Sequence, residues 1–240
     1  TAAVASQAMK HLCDSCAEHL AGEDTMRQLL QMYLGTLQLQ LTPADRVDLI
    51  SALAFVVSQM ELAQIMPAMQ AIAQPLVERL TAMLQGPHSA PNEVAIVLEQ
   101  ICALLRGVTP SSTNDEQMAA SGGHPSVQML QRIWEVLDAV FRRHGTSSNC
   151  MEKLCRCYKH TARTCGEAFR AVVPMLLPQV TTWYEQQPHS CFLYMGNVCL
   201  TSFGNGGRAA ELLPLFADAF RRMSIATFKL LQASTLVDNP

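Results

Sequence analysis

The chain has 240 residues, of which 49% are apolar and only 15% are charged. So apolar a chain buries enough surface to offset the entropy of ordering, which excludes intrinsic disorder. Its net charge of −3 argues against a domain that binds nucleic acid over its whole surface, because such domains are typically basic. Aromatic residues are scarce, whereas methionine, leucine and alanine are plentiful, which favours helix over sheet. We therefore predict an all-α protein.

Apolar residues at positions i, i+3, i+4 and i+7 predict about ten helices separated by short turns. Thr42, Pro43 and Asp45 supply an N-cap, a first-turn proline and a first-turn acid for one of them. Another is predicted to end at Gly145. The predicted helices are 3–20, 24–38, 43–59, 62–84, 91–107, 125–144, 149–165, 169–186, 190–203 and 208–232.

The chain shows no sign of membrane insertion or secretion, although its mean hydropathy is +0.13. Its long uncharged stretches are interrupted by proline, glycine or amide residues, so we predict no membrane span. It does not begin with methionine and shows no signal peptide, so we expect a segment of something longer. The number of cysteines, nine, is odd, and several of them fall within helical patterns on apolar faces, which favours reduced thiols in a cytosolic or nuclear protein over a disulfide framework.

The helices recur at a regular spacing. Starts near 24, 62, 125, 169 and 208 alternate with starts near 43, 91, 149 and 190. Apart from a polar insert at 108–123, the pairs recur every 38 to 48 residues, which is typical of HEAT or armadillo repeats. We therefore predict a HEAT-repeat superhelical solenoid of antiparallel helix pairs, with 1–240 as one segment of about five repeats. The insert is predicted to be a flexible surface loop between two repeats.

The sequence contains weak candidates for a metal site. Cys13 and Cys16 are spaced as in zinc sites and have two histidines nearby, but no second pair follows at a fitting distance. Cys155 and Cys157 are two residues apart, so on a helix they point about 200° apart and cannot bind one ion together. We predict no metal site and read Cys13 and Cys16 as residues of an amphipathic helix.

Catalytic motifs are not found either. The sequence contains no glycine-rich phosphate loop after a strand, no Gly-x-Ser-x-Gly elbow and no His-Glu-x-x-His helix. The glycine-rich stretch 204–207 is predicted to be a turn between helices. We therefore expect no enzyme activity and no cofactor.

The helix over 149–165 carries a basic stripe. At 100° per residue, one arc that should face the core holds Met151, Leu154, Tyr158, Thr161, Ala162 and Cys165. The opposite arc, about 120° wide, holds Lys153, Arg156, Lys159, His160 and Arg163. Glu152 is the only nearby acid, so we expect the stripe to lack the acidic partners that usually satisfy a solvated helix face. A solvated face is the alternative, but the clustering of scarce cations favours an anionic partner.

An extended acidic or phosphorylated peptide is the favoured partner. The basic helix is the second member of its pair, and we expect second helices to line the concave surface of the solenoid. Each phosphate would accept charge-assisted hydrogen bonds worth about 1.5–3 kcal/mol. RNA phosphates could satisfy the same cations, but the overall acidity and the lack of aromatic platforms make direct binding of nucleic acid the weaker candidate.

Three runs of sequence carry a family resemblance. They are Gln-Arg-Ile-Trp-Glu-Val-Leu at 131–137, Glu-Lys-Leu-Cys-Arg-Cys-Tyr-Lys at 152–159, and His-Ser-Cys-Phe-Leu-Tyr-Met-Gly at 189–196. With these runs the chain resembles the transportin-SR family, import receptors of the importin-β superfamily that are built of HEAT repeats. The resemblance extends over nearly the whole chain and is strongest from 124 to 200.

The resemblance implies nuclear import of serine/arginine-rich splicing factors, with cargo release by Ran-GTP and shuttling between cytoplasm and nucleus. It implies that Lys153, Arg156, Lys159 and Arg163 contact the phosphorylated arginine/serine (RS) domain of the cargo, and we include His160 in this set. Two of the basic positions are lysine where the family typically has arginine, and lysine cannot form the bidentate fork to phosphate. Ran-GTP and nucleoporins would bind parts of the full-length protein outside this chain.

A second function stays open. A HEAT-repeat scaffold for protein–protein interactions, without any role in transport, would have the same helical pattern. Such a scaffold would ignore RS peptides and Ran, whereas release of cargo by Ran-GTP is expected only of an import receptor.

Overall fold

A computed structural model describes residues 1–110, 118, 123–205 and 209–237, with the side chains of 209 and 234–237 outside the description. Every regular element of these residues is helical, which confirms the all-α prediction. Two 3₁₀ segments, Gly166–Val172 and Ala209–Glu211, accompany the α-helices. The α-helices described are α1 (Ala2–Ser15), α2 (Ala17–Leu20), α3 (Glu23–Thr36), α4 (Pro43–Ser58), α5 (Leu62–Gln85), α6 (Pro91–Gly107), α7 (Pro125–Arg132), α8 (Trp134–His144), α9 (Ser148–Cys165), α10 (Val173–Gln186), α11 (Ser190–Phe203) and α12 (Leu213–Val237).

The longer helices alternate between two layers. The first layer stacks α1, α4, α6, α9 and α11, each in contact with the next. The second layer holds α3, α5, the pair α7 and α8, α10 and α12. Within the second layer, the Tyr33 hydroxyl of α3 donates to the Ile72 carbonyl of α5 at 3.4 Å. Phe141 of α8 stacks on Trp183 of α10 with ring centroids 4.8 Å apart. The basic helix α9 therefore lies between α6 and α11, in the order that the predicted pairs require.

The start of α4 agrees with the sequence pattern. The Thr42 hydroxyl accepts a hydrogen bond from the Asp45 amide at 3.2 Å, and the Asp45 carboxylate accepts one from the Thr42 amide at 3.1 Å. This capping box satisfies amides that an unprotected helix start would leave without partners. The Ser6 hydroxyl of α1 also donates to Asp45, at 3.1 Å, so the cap joins two helices of the first layer.

Three predicted helices are interrupted in the structure. The helix predicted over 3–20 breaks at Cys16, and the one over 125–144 breaks at Ile133, where φ is −94° and ψ is 6°. The helix predicted over 169–186 begins as 3₁₀ structure, and α10 starts just before Pro174, whose missing N–H suits a first turn. The apolar stripe continues across each of these interruptions, so the hydrophobic periodicity alone does not reveal them.

Buried apolar side chains form one continuous cluster between the two layers. Aromatic rings fill its centre: Tyr158 of α9 lies 5.4 Å from Trp134 and 6.4 Å from Trp183, measured between ring centroids. The predicted core residues of α9 are all buried, at 8% exposure or less: Met151, Leu154, Tyr158, Thr161, Ala162 and Cys165. This packing fixes the rotation of α9 and leaves its basic arc on the outer side.

The two predicted loops lie partly outside the described residues. Of the insert at 108–123, residues 111–117 and 119–122 are not described, so its predicted flexibility stays a prediction. Its first residue, Val108, is buried, and the Thr109 amide donates to the Ser58 hydroxyl of α4 at 2.9 Å. In the turn predicted at 204–207, Gly204 follows the end of α11 and the last two residues are not described. Among the helices described, none has the length and apolarity to cross a membrane.

Candidate anion-binding interface

The candidate site lies along α9, whose two ends are set by local sequence. The Ser147 hydroxyl caps the start by accepting a hydrogen bond from the Cys150 amide at 3.4 Å. The helix ends at Gly166, whose φ of +51° lies in the left-handed region that glycine enters without a Cβ clash. Arg163 lies in the last turn, where a positive charge is favourable beside the exposed carbonyls. These features fix where α9 begins and ends, and the core packing described above fixes which of its faces is on the outer side.

The first half of the basic stripe is paired with carboxylates, which corrects the expectation that it lacks acidic partners. Lys153 Nζ lies 2.8 Å from Glu99 Oε1 of α6, and the Lys153 side chain is only 19% exposed. Arg156 Nη2 lies 2.6 Å from Glu152 Oε1, one helical turn earlier. A second Arg156 nitrogen, Nη1, lies 4.0 Å from Glu99 Oε1. The expectation was wrong because Glu152 is itself an i, i+4 partner and because the second carboxylate comes from a neighbouring helix.

The second half of the stripe faces a tyrosine instead of acids. Lys159 Nζ lies 5.6 Å from the centroid of the Tyr194 ring, within the range of a cation–π contact. Arg163 Nη2 donates to the Tyr194 hydroxyl at 3.2 Å. Neither interaction neutralises a charge, so the positive potential of the stripe is strongest around Tyr194 of α11.

His160 does not contribute a positive charge at neutral pH. Burial, together with the nearby cations Lys159, Arg106, Arg163 and Arg156, lowers its pKa from 6.5 to about 4. His160 therefore adds no positive charge to the stripe at neutral pH, and its predicted contact with the cargo stays a prediction. The imidazole is instead a neutral group that is able to form hydrogen bonds and is surrounded by positively charged side chains.

We expect the chain to lose stability as the pH falls from 6.5 toward 4, in part through His160. In this window the unfolded chain binds a proton at this side chain, whereas the folded chain does not, because the pKa in the folded state is about 4. The variant His160→Gln should therefore lose about 1–2 kcal/mol less than the unmodified chain between pH 7 and pH 4.5. Urea unfolding at both pH values measures the difference. Equal losses in the two proteins would contradict the prediction.

Two grooves flank α9. The larger, about 400 Å³, lies between α9 and α11 and is lined in part by Arg156, Lys159 and Tyr194. The smaller, about 150 Å³, lies between α6 and α9 and is lined in part by Lys153, Arg156 and Arg106. Arg156 lines both grooves, so it is the central cation of the interface.

The cysteine candidates do not assemble a metal site. Cys13 is buried, Cys16 is half-buried, and all nine cysteines are free thiols. Cys155 contacts Cys191 of α11, while Cys157 contacts Cys102 of α6, so these two thiols face opposite neighbours as their spacing requires. Across the part of the chain that the structure describes, no three metal-ligating side chains come together.

Three residues of the interface were missed by sequence reasoning. Glu99 and Arg106 come from α6, and Tyr194 comes from α11. A signal was available for all three, because the predicted pair order already makes the helices over 91–107 and 190–203 neighbours of the basic helix. A comparison of the charged and aromatic residues of α9 with those of its two neighbours, α6 and α11, would have identified all three.

Comparisons with known proteins agree with this architecture. Residues 124–231 match the family model described as the Transportin-3/Importin-13 fourth TPR domain. Transportin MOS14 of Arabidopsis thaliana is 26% identical over 218 residues, covering 88% of this chain and 21% of its own length. Importin-13 of Bos taurus is 21% identical over 155 residues, covering 60% of this chain and 16% of its own length. The chain thus spans about a fifth of the length of these curated relatives.

A solved structure titled "Importin13 cytosolic state" superposes with a TM-score of 0.81 at 18% identity. It covers 96% of this chain, which in turn covers 25% of that structure. The superposition confirms the predicted helical-repeat solenoid. Together, the family model and the relatives show that this chain is similar to transportins and to importin-13.

Proposed function

We propose that this chain is the cargo-binding segment of a nuclear import receptor resembling transportin-SR. In this proposal α9 and its two grooves bind the phosphorylated RS domains of splicing factors. The observation that supports it most directly is the cluster of cations on two neighbouring helices, of which two are paired with the carboxylates of Glu99 and Glu152. The cations are Lys153, Arg156, Lys159, Arg163 and Arg106.

A phosphopeptide can compete with the carboxylates that now hold the stripe. Exposed ion pairs such as Arg156 with Glu152 contribute about 0.2–1 kcal/mol, whereas a hydrogen bond between arginine and phosphate contributes about 1.5–3 kcal/mol. A phosphoserine also carries a charge of about −1.5 to −2 at pH 7, more than one carboxylate does. Exchange of carboxylate for phosphate is therefore favourable, most of all near Tyr194, where Lys159 and Arg163 contact no acid in the part of the chain described.

The rest of the transport cycle would need more of the protein. Because this chain covers about a fifth of its curated relatives, we assign binding of Ran-GTP and nucleoporins to other parts of the full-length protein. Shuttling between cytoplasm and nucleus follows from the same proposal. The family support described above favours it over a scaffold without a transport role.

Binding of matched peptides tests the proposal. The 240-residue chain should bind a phosphorylated RS peptide at least about tenfold more tightly than the same peptide without phosphate, as measured by fluorescence anisotropy. Added salt should weaken the binding, because the contacts are electrostatic. Equal affinity for the two peptides would overturn the assignment of cargo.

Cargo release distinguishes a receptor from a scaffold. In a pull-down with the full-length protein, Ran-GTP should release the bound RS-domain protein, whereas Ran-GDP should not. Retention of cargo under both conditions would favour the scaffold function, even if the phosphopeptide binds.

Removing a competing carboxylate should strengthen phosphopeptide binding. Glu99→Gln frees Lys153 and one side of Arg156, so we expect affinity to rise about two- to fivefold, the equivalent of one exposed ion pair. Glu93→Gln is the matched control, since Glu93 is an exposed acid in the first turn of the same helix. A gain with the control variant, or none with Glu99→Gln, would show that Glu99 does not compete with the ligand.

A further inference from the structure

Two thiols meet where α9 packs against α11, and the proposed binding of RS peptides uses neither of them. Cys155 lies on the side of α9 that faces α11, and Cys191 lies in the first turn of α11. Each side chain shifts the pKa of the other, and both line the same groove. The two thiols thus lie close together where the helices pack.

The contact is open to solvent from one side. Both cysteines line the groove of about 400 Å³ between α9 and α11. Cys191 is half-buried there, whereas Cys155 is only 5% exposed. A small oxidant that enters the groove therefore reaches the Cys191 sulfur first and finds the Cys155 sulfur directly behind it.

We propose that Cys191 and Cys155 form a redox-active dithiol, in which a peroxide oxidises Cys191 and Cys155 then closes a disulfide between α9 and α11. The proposal is independent of the function proposed above, because it rests only on the thiol pair and the groove. The oxidant it requires is hydrogen peroxide or an alkyl hydroperoxide.

The reaction balances in two steps. The Cys191 thiolate attacks one oxygen of hydrogen peroxide, the O–O bond breaks, and Cys191 becomes a sulfenic acid while hydroxide takes up a proton to leave as water. The Cys155 sulfur then attacks the Cys191 sulfur, the S–O bond breaks, and a second water leaves with the proton of Cys155. Two thiols are oxidised to one disulfide, and one peroxide is reduced to two waters.

The electrostatics of the pair favour these roles. The neighbouring Cys155 side chain lowers the pKa of Cys191, with help from the backbone amides of Cys191 and Phe192, while burial and the Glu152 carboxylate oppose the shift. The neighbouring Cys191 side chain and burial raise the pKa of Cys155, which keeps its proton until Cys191 has been oxidised. Thiolate character at the more accessible sulfur is what attack on a peroxide requires.

A second thiol pair provides an internal comparison. Cys102 of α6 and Cys157 on the opposite side of α9 also shift each other's pKa, but they are only 6% and 0% exposed. The groove beside them is smaller, about 150 Å³. Because access is poorer, we expect this pair to oxidise about tenfold more slowly.

Peptide mapping tests the proposal directly. The folded chain is treated with hydrogen peroxide, remaining thiols are blocked with N-ethylmaleimide, and trypsin is added without reductant. Trypsin separates Cys155, in the peptide 154–156, from Cys157, in 157–159, and places Cys191 in 171–208. We expect a disulfide between 154–156 and 171–208 before any link to the peptide that carries Cys102.

Three variants assign the sulfurs. Cys199 lies in the same tryptic peptide as Cys191, so Cys199→Ser should keep the link and Cys191→Ser should abolish it. In Cys155→Ser, the sulfenic acid at Cys191 should persist and be trapped by dimedone. Circular dichroism confirms that each variant is folded. A first link through Cys199 or Cys157, or an unmodified Cys191 in folded Cys155→Ser, would overturn the proposal.

Discussion

Replacing Trp183 with alanine should lower the free energy of unfolding by about 3–5 kcal/mol, the range measured when large aromatic side chains are removed from protein cores. Trp183 is 3% exposed and lies in α10. Its ring stacks on Phe141 of α8 at 4.8 Å and lies 5.8 Å from Phe192 of α11. It is also 6.4 Å from Tyr158 of the basic helix. One side chain therefore holds together four helices from both layers, and its loss leaves a cavity among all of them.

Urea unfolding followed by far-UV circular dichroism measures the effect of Trp183→Ala. Trp183→Phe, which keeps a ring at the centre of the cluster, should cost clearly less than the alanine variant. Met175→Ala is the matched control, because Met175 lies on the same helix with 42% of its surface exposed, and its loss should stay near 0.5 kcal/mol. A change below about 1 kcal/mol for Trp183→Ala would show that the surrounding helices collapse around the gap.

The fold could be predicted from the sequence because its signals are local and repeated. Thr42 and Asp45 cap the start of α4, and Gly145 follows the end of α8, as their positions next to apolar stripes predict. The two-helix period then gives the pairing order, since a stripe can be buried only against its neighbours. The breaks at Cys16 and Ile133 could not be predicted in this way, because an interruption of one residue leaves the apolar stripe of the helix continuous.

The charges of the site were predicted less completely. The helical arc correctly separated Lys153 and Arg163 from the core, because burial follows from the 3.6-residue period. The partners of the cations depend on which side chains face each other across packed helices, and spacing within one helix does not contain that information. Glu99 and Tyr194 are 54 and 31 residues from the cations that they contact. The shifted pKa of His160 has the same origin, since burial and Arg106 of a second helix both lower it.

The double variant Arg156→Ala/Arg163→Ala should bind the phosphorylated RS peptide about 10- to 100-fold more weakly, a loss of about 1.4–2.7 kcal/mol. Arg156 lines both grooves, and Arg163 supplies a positive charge beside Tyr194. Removing Arg156 also leaves Glu152 without its 2.6 Å partner, and this carboxylate then repels the ligand. Arg163 is exposed and Arg156 is half-buried, with 42% of its side chain exposed, so the stability of the chain should change little.

The matched control is Arg142→Ala/Arg221→Ala. These arginines are exposed and lie on α8 and α12, and each pairs with an acid on its own helix, Asp138 or Asp218, as Arg156 does with Glu152. The control removes the same net charge, so a purely long-range effect would weaken binding equally in both double variants. Fluorescence anisotropy at two salt concentrations should show a loss for the first double variant only, with a shallower salt dependence. Equal losses would contradict a local site on α9.

The single variant Arg156→Lys separates charge from geometry. Lysine keeps the positive charge but cannot form two parallel hydrogen bonds to one phosphate, so an affinity loss of about two- to fivefold would show that the ligand uses the arginine fork. An unchanged affinity would show that the stripe attracts phosphate by charge alone. In that case the lysines at 153 and 159, where the family that the sequence resembles typically has arginine, would reduce the affinity for the phosphopeptide only slightly. The fork and the point charge would then be interchangeable along the whole of α9.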